Sequence, residues 1–166
     1  MKSIKPIVAG VLLLLAAYLI WQFFFPPPEK AIQRQLSKLS EAISARPEGN
    51  FAKAANAAHI ASFFDPNVTI NLDRFGPEIE SLHGQAEVQR VAFAARQNVP
   101  RLNVKFENLK IEVDPAKTEA TVYGSIVVEF RERGEPVVQD LKIGMQKVNR
   151  SWLIRSATPA QNLIVQ

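Results

Sequence analysis

The stretch "VKFENLKIEVDPAKTEATVYGSIVVEF", Val104 to Phe130, decides the architecture. Its first half alternates, with Val104 and Phe106, and Leu102 just before them, on one side of an extended chain. The pattern then resumes out of phase as Leu109, Ile111 and Val113. Strand side chains have a period of two, so one extra residue resets the parity, and this reads as a bulge or bend that curves the strand. The second half, extended to "EATVYGSIVVEFRE", is a long strand; "RGE" joins it to another, "PVVQDLKIGMQKV". The turn "NR" leads into a fourth, "SWLIRSATP". Four strands with short connections are expected to pair as antiparallel hairpins.

Upstream, the period changes. "EKAIQRQLSKLSEAISARPEG" spaces Ile32, Leu36, Leu39 and Ile43 by four, three and four, one apolar stripe on an amphipathic helix. Arg46-Pro47 and Gly49 end it. "NFAKAANAAHIASFFD" is an alanine-rich helix with Asn50 as its expected cap, closing on Phe63-Phe64. "PNVTINLD" is a short strand, and "RFGPEIESLHG" reads as a loop. In "QAEVQRVAFAARQNV", Val88, Val91, Ala92, Ala95 and Val99 share a helical face that Pro100 stops. The order helix, helix, strand, helix and four strands implies an α+β fold, with helices covering one face of a curved antiparallel sheet.

Pro6 to Phe25 contains no charged residue. As a helix its 20 residues reach roughly 30 Å, the thickness of a bilayer's hydrocarbon core. A cleavable signal has a shorter apolar core and a small-x-small cleavage site; this run ends in "WQFFFPPP". It therefore reads as a permanent transmembrane anchor, with Tyr18 and Trp21 toward its distal interface. Lys2, Lys5 and the terminal amine favour a cytoplasmic N-terminus, and Glu29, Lys30, Arg34 and Lys38 after the span make that bias mild. The expected organisation is a cytoplasmic tail over 1–5, a span over 6–25, a proline spacer over 26–29 and one domain over 30–166. The location that follows is the inner membrane, with the domain periplasmic or extracytoplasmic.

The formal charge of +4 includes Lys2 and Lys5, so the domain is nearly balanced. Its basic and acidic residues alternate, as in "EFRERGEP", without the concentrated footprint of a nucleic-acid binder. The chain has no cysteine, which excludes disulfides, thiolate metal sites and a thiol nucleophile. The two histidines, His59 and His83, lack metal-ligand spacing. No Gly-rich phosphate loop, nucleophile elbow or dinucleotide fingerprint is present, so no cofactor is expected. Asn67-Val68-Thr69 and Asn149-Arg150-Ser151 are glycosylation triplets of a kind that chance often produces.

Four segments resemble the nuclear transport factor 2-like superfamily, which includes SnoaL-like and ketosteroid-isomerase-like proteins. "FFDPNVTINL" is similar to its helix-to-strand junction, and "LHGQAEVQRVAF" to the glycine opening its third helix. "VKFENLKIEVDPAKTEATVYGSIVVEF" resembles its bent strand, turn and long strand; "IGMQKVNRSWLIRSATP" resembles its closing hairpin. Together they cover about Glu29 to Pro159. The resemblance implies a cone-shaped, cystatin-like bent sheet around helices, with a pocket between them. The superfamily contains isomerases, dehydratases, transport and assembly factors and oligomerisation modules, so it implies fold more than activity.

Enzymes of this superfamily hold a titratable base in an apolar cavity, often beside a tyrosine or protonated aspartate donor. The candidates here are Asp73, His59, His83 and Tyr123, none within a family catalytic motif. His59 projects either into a pocket or onto a helix boundary where it is simply accommodated. His83, before Gly84 at the opening of the third helix, either lines a pocket mouth or stabilises a turn. Asp73 and Arg74 edge the loop after the first strand, as ligand contacts or as an exposed ion pair. Asp65, before Pro66, is read as a turn acceptor. Tyr123 shares a face with Ser125 and Val127 that is either concave or solvated. Asp140 shares a face with Lys142 and Gln146, which reads as solvated. Without an assignable acid–base pair, the reading is a non-catalytic binding or assembly module with a protein partner or a second copy. The alternative is a SnoaL-like isomerase or dehydratase acting on an apolar small molecule. An apolar ligand held without turnover is a third reading.

Overall fold

A computed structural model describes residues 11–18, 27–72, 81–99, 102–130 and 135–160. Residues 11–18 are helical (α1), and Val11 to Leu15 and Tyr18 are each more than half exposed. The span expected over 6–25 otherwise lies outside the described residues. Among those described, no helix is long and apolar enough to cross a membrane.

Helix α2 (Pro28–Ser44) begins on a proline. This is tolerated because the first helical N–H has no intrahelical acceptor. Pro28 and Glu29 thus form a first turn where an extended spacer is expected, and Pro27 keeps extended angles of φ −50° and ψ 142°. Ile32, Leu36 and Leu39 are almost wholly buried, as their four-three spacing requires. Helices α3 (Asn50–Ala61) and α4 (Gln85–Asn98) follow Gly49 and Gly84, at φ 79° and 81°. A side chain in that region is strained, so glycine suits both helix starts. Gly49 takes the cap position expected for Asn50, which starts the helix itself, and no side chain caps it.

The strands are β1 (Phe64–Asn71), β2 (Ser81–His83), β3 (Leu102–Val113), β4 (Glu119–Phe130), β5 (Val137–Val148) and β6 (Ser151–Pro159). They form one sheet in the order β2-β1-β6-β5-β4-β3. β3 to β6 pair antiparallel in sequence order, as expected. Two expectations need correction. The sheet is mixed, because β1 lies parallel to β6 after the α4 and hairpin excursion brings the chain back beside it. The segment read wholly as a loop ends in β2, whose three residues gain backbone partners by pairing with β1.

The parity reset in β3 is a bulge: register shifts between Glu107 and Lys110, with Asn108 at φ 54°. Both halves of β3 therefore present apolar residues to one side. Val104 is buried there, and Phe106, Leu109, Ile111 and Val113 are partly buried. Val68, Ile70, Val122, Leu141, Ile143, Met145, Trp152 and Ile154 join the helical stripes in the same core. The opposite face, with Tyr123, Ser125, Val127 and Val138, stays half-buried or exposed.

Close packing over the bulge makes Gly124 a sensitive position. A Cβ there would meet Leu109 Cδ2 at 2.7 Å and the Glu107 carbonyl oxygen at 2.9 Å. Gly124→Ala is expected to cost about 1–3 kcal/mol in urea denaturation; unchanged stability would contradict this packing.

Candidate functional site

Alternation places two polar residues in the core. Arg96 follows Val88 and Ala92 at intervals of four, so it continues the inward face of α4. It is 9% exposed, and its guanidinium donates to the Ala42 carbonyl at 3.0 Å, the Ile43 carbonyl and Asn56 Oδ1 at 2.8 Å. Asn56 also donates to the Ala42 carbonyl at 3.0 Å. Those carbonyls belong to the last turn of α2, which leaves acceptors unpaired and carries partial negative charge. Burial pulls the Arg96 pKa below the ordinary arginine value. Gln139 lies on the core side of β5 in phase with Leu141 and Ile143; it is 5% exposed and its Oε1 accepts no hydrogen bond from the described residues. Neither residue was singled out from sequence, although each is a polar side chain in phase with an apolar pattern.

Of the described candidates, His83 on β2 and Tyr123 on β4 share the outward sheet face with three strands between them, and His59 lies on α3. His59 is exposed near the end of α3, with its ring edge-on to Phe63 at 5.1 Å. His83 ends β2 and is exposed; its Nε2 is 3.0 Å from Ser81 Oγ. The His83 backbone N–H donates to Glu87 Oε2 at 2.7 Å, and that bond is the main reason the Glu87 carboxyl sits below its usual pKa. Tyr123 is half-buried on the sheet face opposite the core, with Lys142 Nζ 5.9 Å from its ring centre. Asp73 and Arg74 lie outside the described residues. No hydrogen bond joins His59, His83 and Tyr123 among the described residues. Asp65 accepts the Asn67 N–H at 2.8 Å, the turn role read for it. Asp140 is exposed beside Ser125, whose hydroxyl donates to it at 2.6 Å. Among the described residues, no group of three or more histidines and carboxylates is placed to hold a metal.

The outward face also carries a recess. One row of Cα partners crosses all six strands: His83, Thr69, Ser156, Gly144, Thr121 and Glu112. Over its β3–β6 part lies an open cleft of about 380 Å³, rimmed by Asp114, Glu119 and Arg155. Gly144 keeps it open, since a Cβ there would lie 2.5 Å from Ser156 Oγ. Arg155 is 3.6 Å from Glu119, and Lys110 2.8 Å from Glu112. The cleft thus mixes a charged rim with the apolar Val113, Ala120 and Met145, a lining suited to contacts.

At its rim, Asp114 Oδ1 accepts the N–H of Glu119 at 2.7 Å and of Thr118 at 2.8 Å, and Oδ2 that of Ala116 at 3.1 Å. These bonds, Glu119's first, hold its pKa below the usual aspartate value. A depressed carboxyl stabilises fully above its unfolded-chain pKa, about 3.9, and loses that contribution as pH falls through the lower folded value. Asp114→Asn should therefore flatten the acid limb of a stability–pH profile below about pH 4; an unchanged limb counts against the turn's role. Arg96→Met should cost about 2 kcal/mol by denaturant unfolding, because the Ile43 carbonyl and Asn56 Oδ1 lose their donor and the Ala42 carbonyl keeps only that of Asn56. Arg96→Lys should recover only part of that, since an ammonium lacks the planar fork.

No protein-family model and no curated protein sequence matches the chain. Solved structures do match in fold. A protein of unknown function with a cystatin-like fold from Nostoc punctiforme aligns with TM-score 0.58 at 14% identity, over 82% of this chain and 92% of that one. A nuclear transport factor 2-like protein with a cystatin-like fold from Novosphingobium aromaticivorans aligns with TM-score 0.59 at 13% identity, over 100% and 94%. A scytalone dehydratase-like protein from the same organism aligns with TM-score 0.57 at 12% identity, over 83% and 93%. At such identities the likeness speaks for fold alone. The chain has the cystatin-like, nuclear transport factor 2-like α+β fold, with a curved mixed sheet and helices on one side.

Proposed function

We propose that the chain is a single-pass, membrane-anchored binding or assembly module whose domain stands outside the cytoplasm and makes protein contacts without catalysis. The observation that carries this reading is the uncovered sheet face. The helices bury one side, leaving Thr121, Tyr123, Val127 and Val138 on a broad outward surface with a cleft at one end. Support for the anchor comes from the charge-free run and from the exposed leucines of α1, which find no protein core to enter. The partner is another envelope protein or a second copy of this chain. Tethering confines it to a thin layer and so raises its effective concentration there.

A second reading, a SnoaL-like isomerase or dehydratase on an apolar small molecule, draws on Gln139. Its unbonded oxygen on the core side is the kind of group that orients a ligand. That reading needs its base from Asp73, since His59, His83 and Tyr123 lie apart.

The test uses the full chain in native membranes. It should resist alkaline carbonate extraction and give a cross-linked species that Thr121→Arg with Val138→Arg abolishes while the circular dichroism spectrum is kept. Release by carbonate would overturn the anchor. A strictly monomeric chain with no cross-linked partner would overturn the contact role.

A further inference from the structure

Helix α2 presents Lys30, Arg34 and Lys38 at successive intervals of four, all three exposed. At 1.5 Å per residue this stripe runs about 12 Å along the face opposite Ile32, Leu36 and Leu39. No described carboxylate forms an ion pair with any of them, whereas Arg90, Lys105, Lys110 and Arg155 each have one. On α2 itself the acids mark the ends of the stripe, while Lys105 and Glu107 of β3 share a groove with Gln33 and Ser37 beside it. Glu29 lies about 100° around the helix from Lys30. Glu41 is on the same face one turn past Lys38 and close to Ser37 Oγ at 3.4 Å. Positive charge is therefore concentrated in the first turns, nearest the N-terminus of α2.

That end is also the end nearest the proposed anchor. Between position 25, where the expected span ends, and Pro28, where α2 starts, the chain reaches at most about 11 Å. The first turns of α2 thus begin within roughly a Debye length, about 8–10 Å, of the headgroup layer. Basic side chains at that depth are attracted to anionic lipid.

Building on the anchored reading, we propose that the α2 face bearing Lys30, Arg34 and Lys38 lies against anionic lipid headgroups. This contact holds the helix along the membrane surface and fixes the domain's orientation, so that the sheet face is presented to partners in a set direction. The one-sided core makes this consistent: α2 buries its other face and has these charges to spare.

The chain has no cysteine, so Ser37→Cys, an exposed position between Arg34 and Lys38, takes a single fluorophore. The full-length labelled chain is reconstituted in vesicles of phosphatidylcholine alone or with one quarter phosphatidylglycerol, each containing a headgroup-linked quencher. Quenching should be at least twofold stronger in the anionic vesicles. It should fall to the neutral-vesicle level in high salt and in the K30Q/R34Q/K38Q chain, whose thermal midpoint should be unchanged. Equal quenching in both vesicles, or none in vesicles that retain the chain, overturns the headgroup contact and leaves the anchor standing. Failure of the chain to float with neutral vesicles overturns the anchor, and this inference with it.

Discussion

A strand can bury only alternate side chains, so every strand of this sheet must keep one parity against the same helices. The rest of the structure follows from that constraint. β3 keeps its parity by adding a residue at Asn108, and the β5–β6 pair shifts register between Gly144 and Met145 for the same reason. Each bulge costs a ladder bond locally and preserves a continuous apolar face. The core then runs from Ile32 on α2 through Val122 to Trp152. Because burial is confined to one face, the other is left to solvent or to a partner.

The helical layer is held together differently. α2 ends in an extended Ala45 with no basic residue in its last turn, so its carbonyls need donors from elsewhere. Arg96 on α4 supplies them and also bonds Asn56 on α3, joining three helices through one guanidinium. A planar fork suits several acceptors at once, and a buried cation is tolerated where helix-end carbonyls surround it. Gln85 makes a second tie, donating to the Ala61 and Phe64 carbonyls and so fixing the start of α4 against the end of α3.

Function on this fold belongs to sites, and the shared architecture hosts many of them. Among the described residues, both histidines sit at surface positions with local tasks. His83 is held between Ser81 and Glu87, and His59 rests against Phe63. What the architecture offers instead is two surfaces with different chemistry. The outward sheet face is a mixed polar and apolar plane, and the α2 stripe is basic beside a membrane-length apolar run. On the function proposed above, the second surface orients the domain and the first makes its contacts.

Sequence by itself determined the elements whose pattern is local. The apolar stripes of α2 and α4, the four C-terminal strands and the bulge in β3 follow from periodicity, because burial on one face writes its period into the chain, and α3 follows from its alanine content. It did not reveal β2, whose three residues are too few to show a period and are ordered only by pairing with Thr69 to Asn71. Nor did it reveal the parallel β1–β6 pairing, which joins residues about ninety positions apart. The outward direction of Tyr123 was open for a related reason: alternation separates two faces without naming which one the helices cover. Arg96 and Gln139 were visible as polar residues in apolar phase, but their partners come from other elements. Only the tertiary structure decided which carbonyls Arg96 serves and that Gln139 has no donor among the described residues, because those contacts are made across the fold and leave no spacing to read.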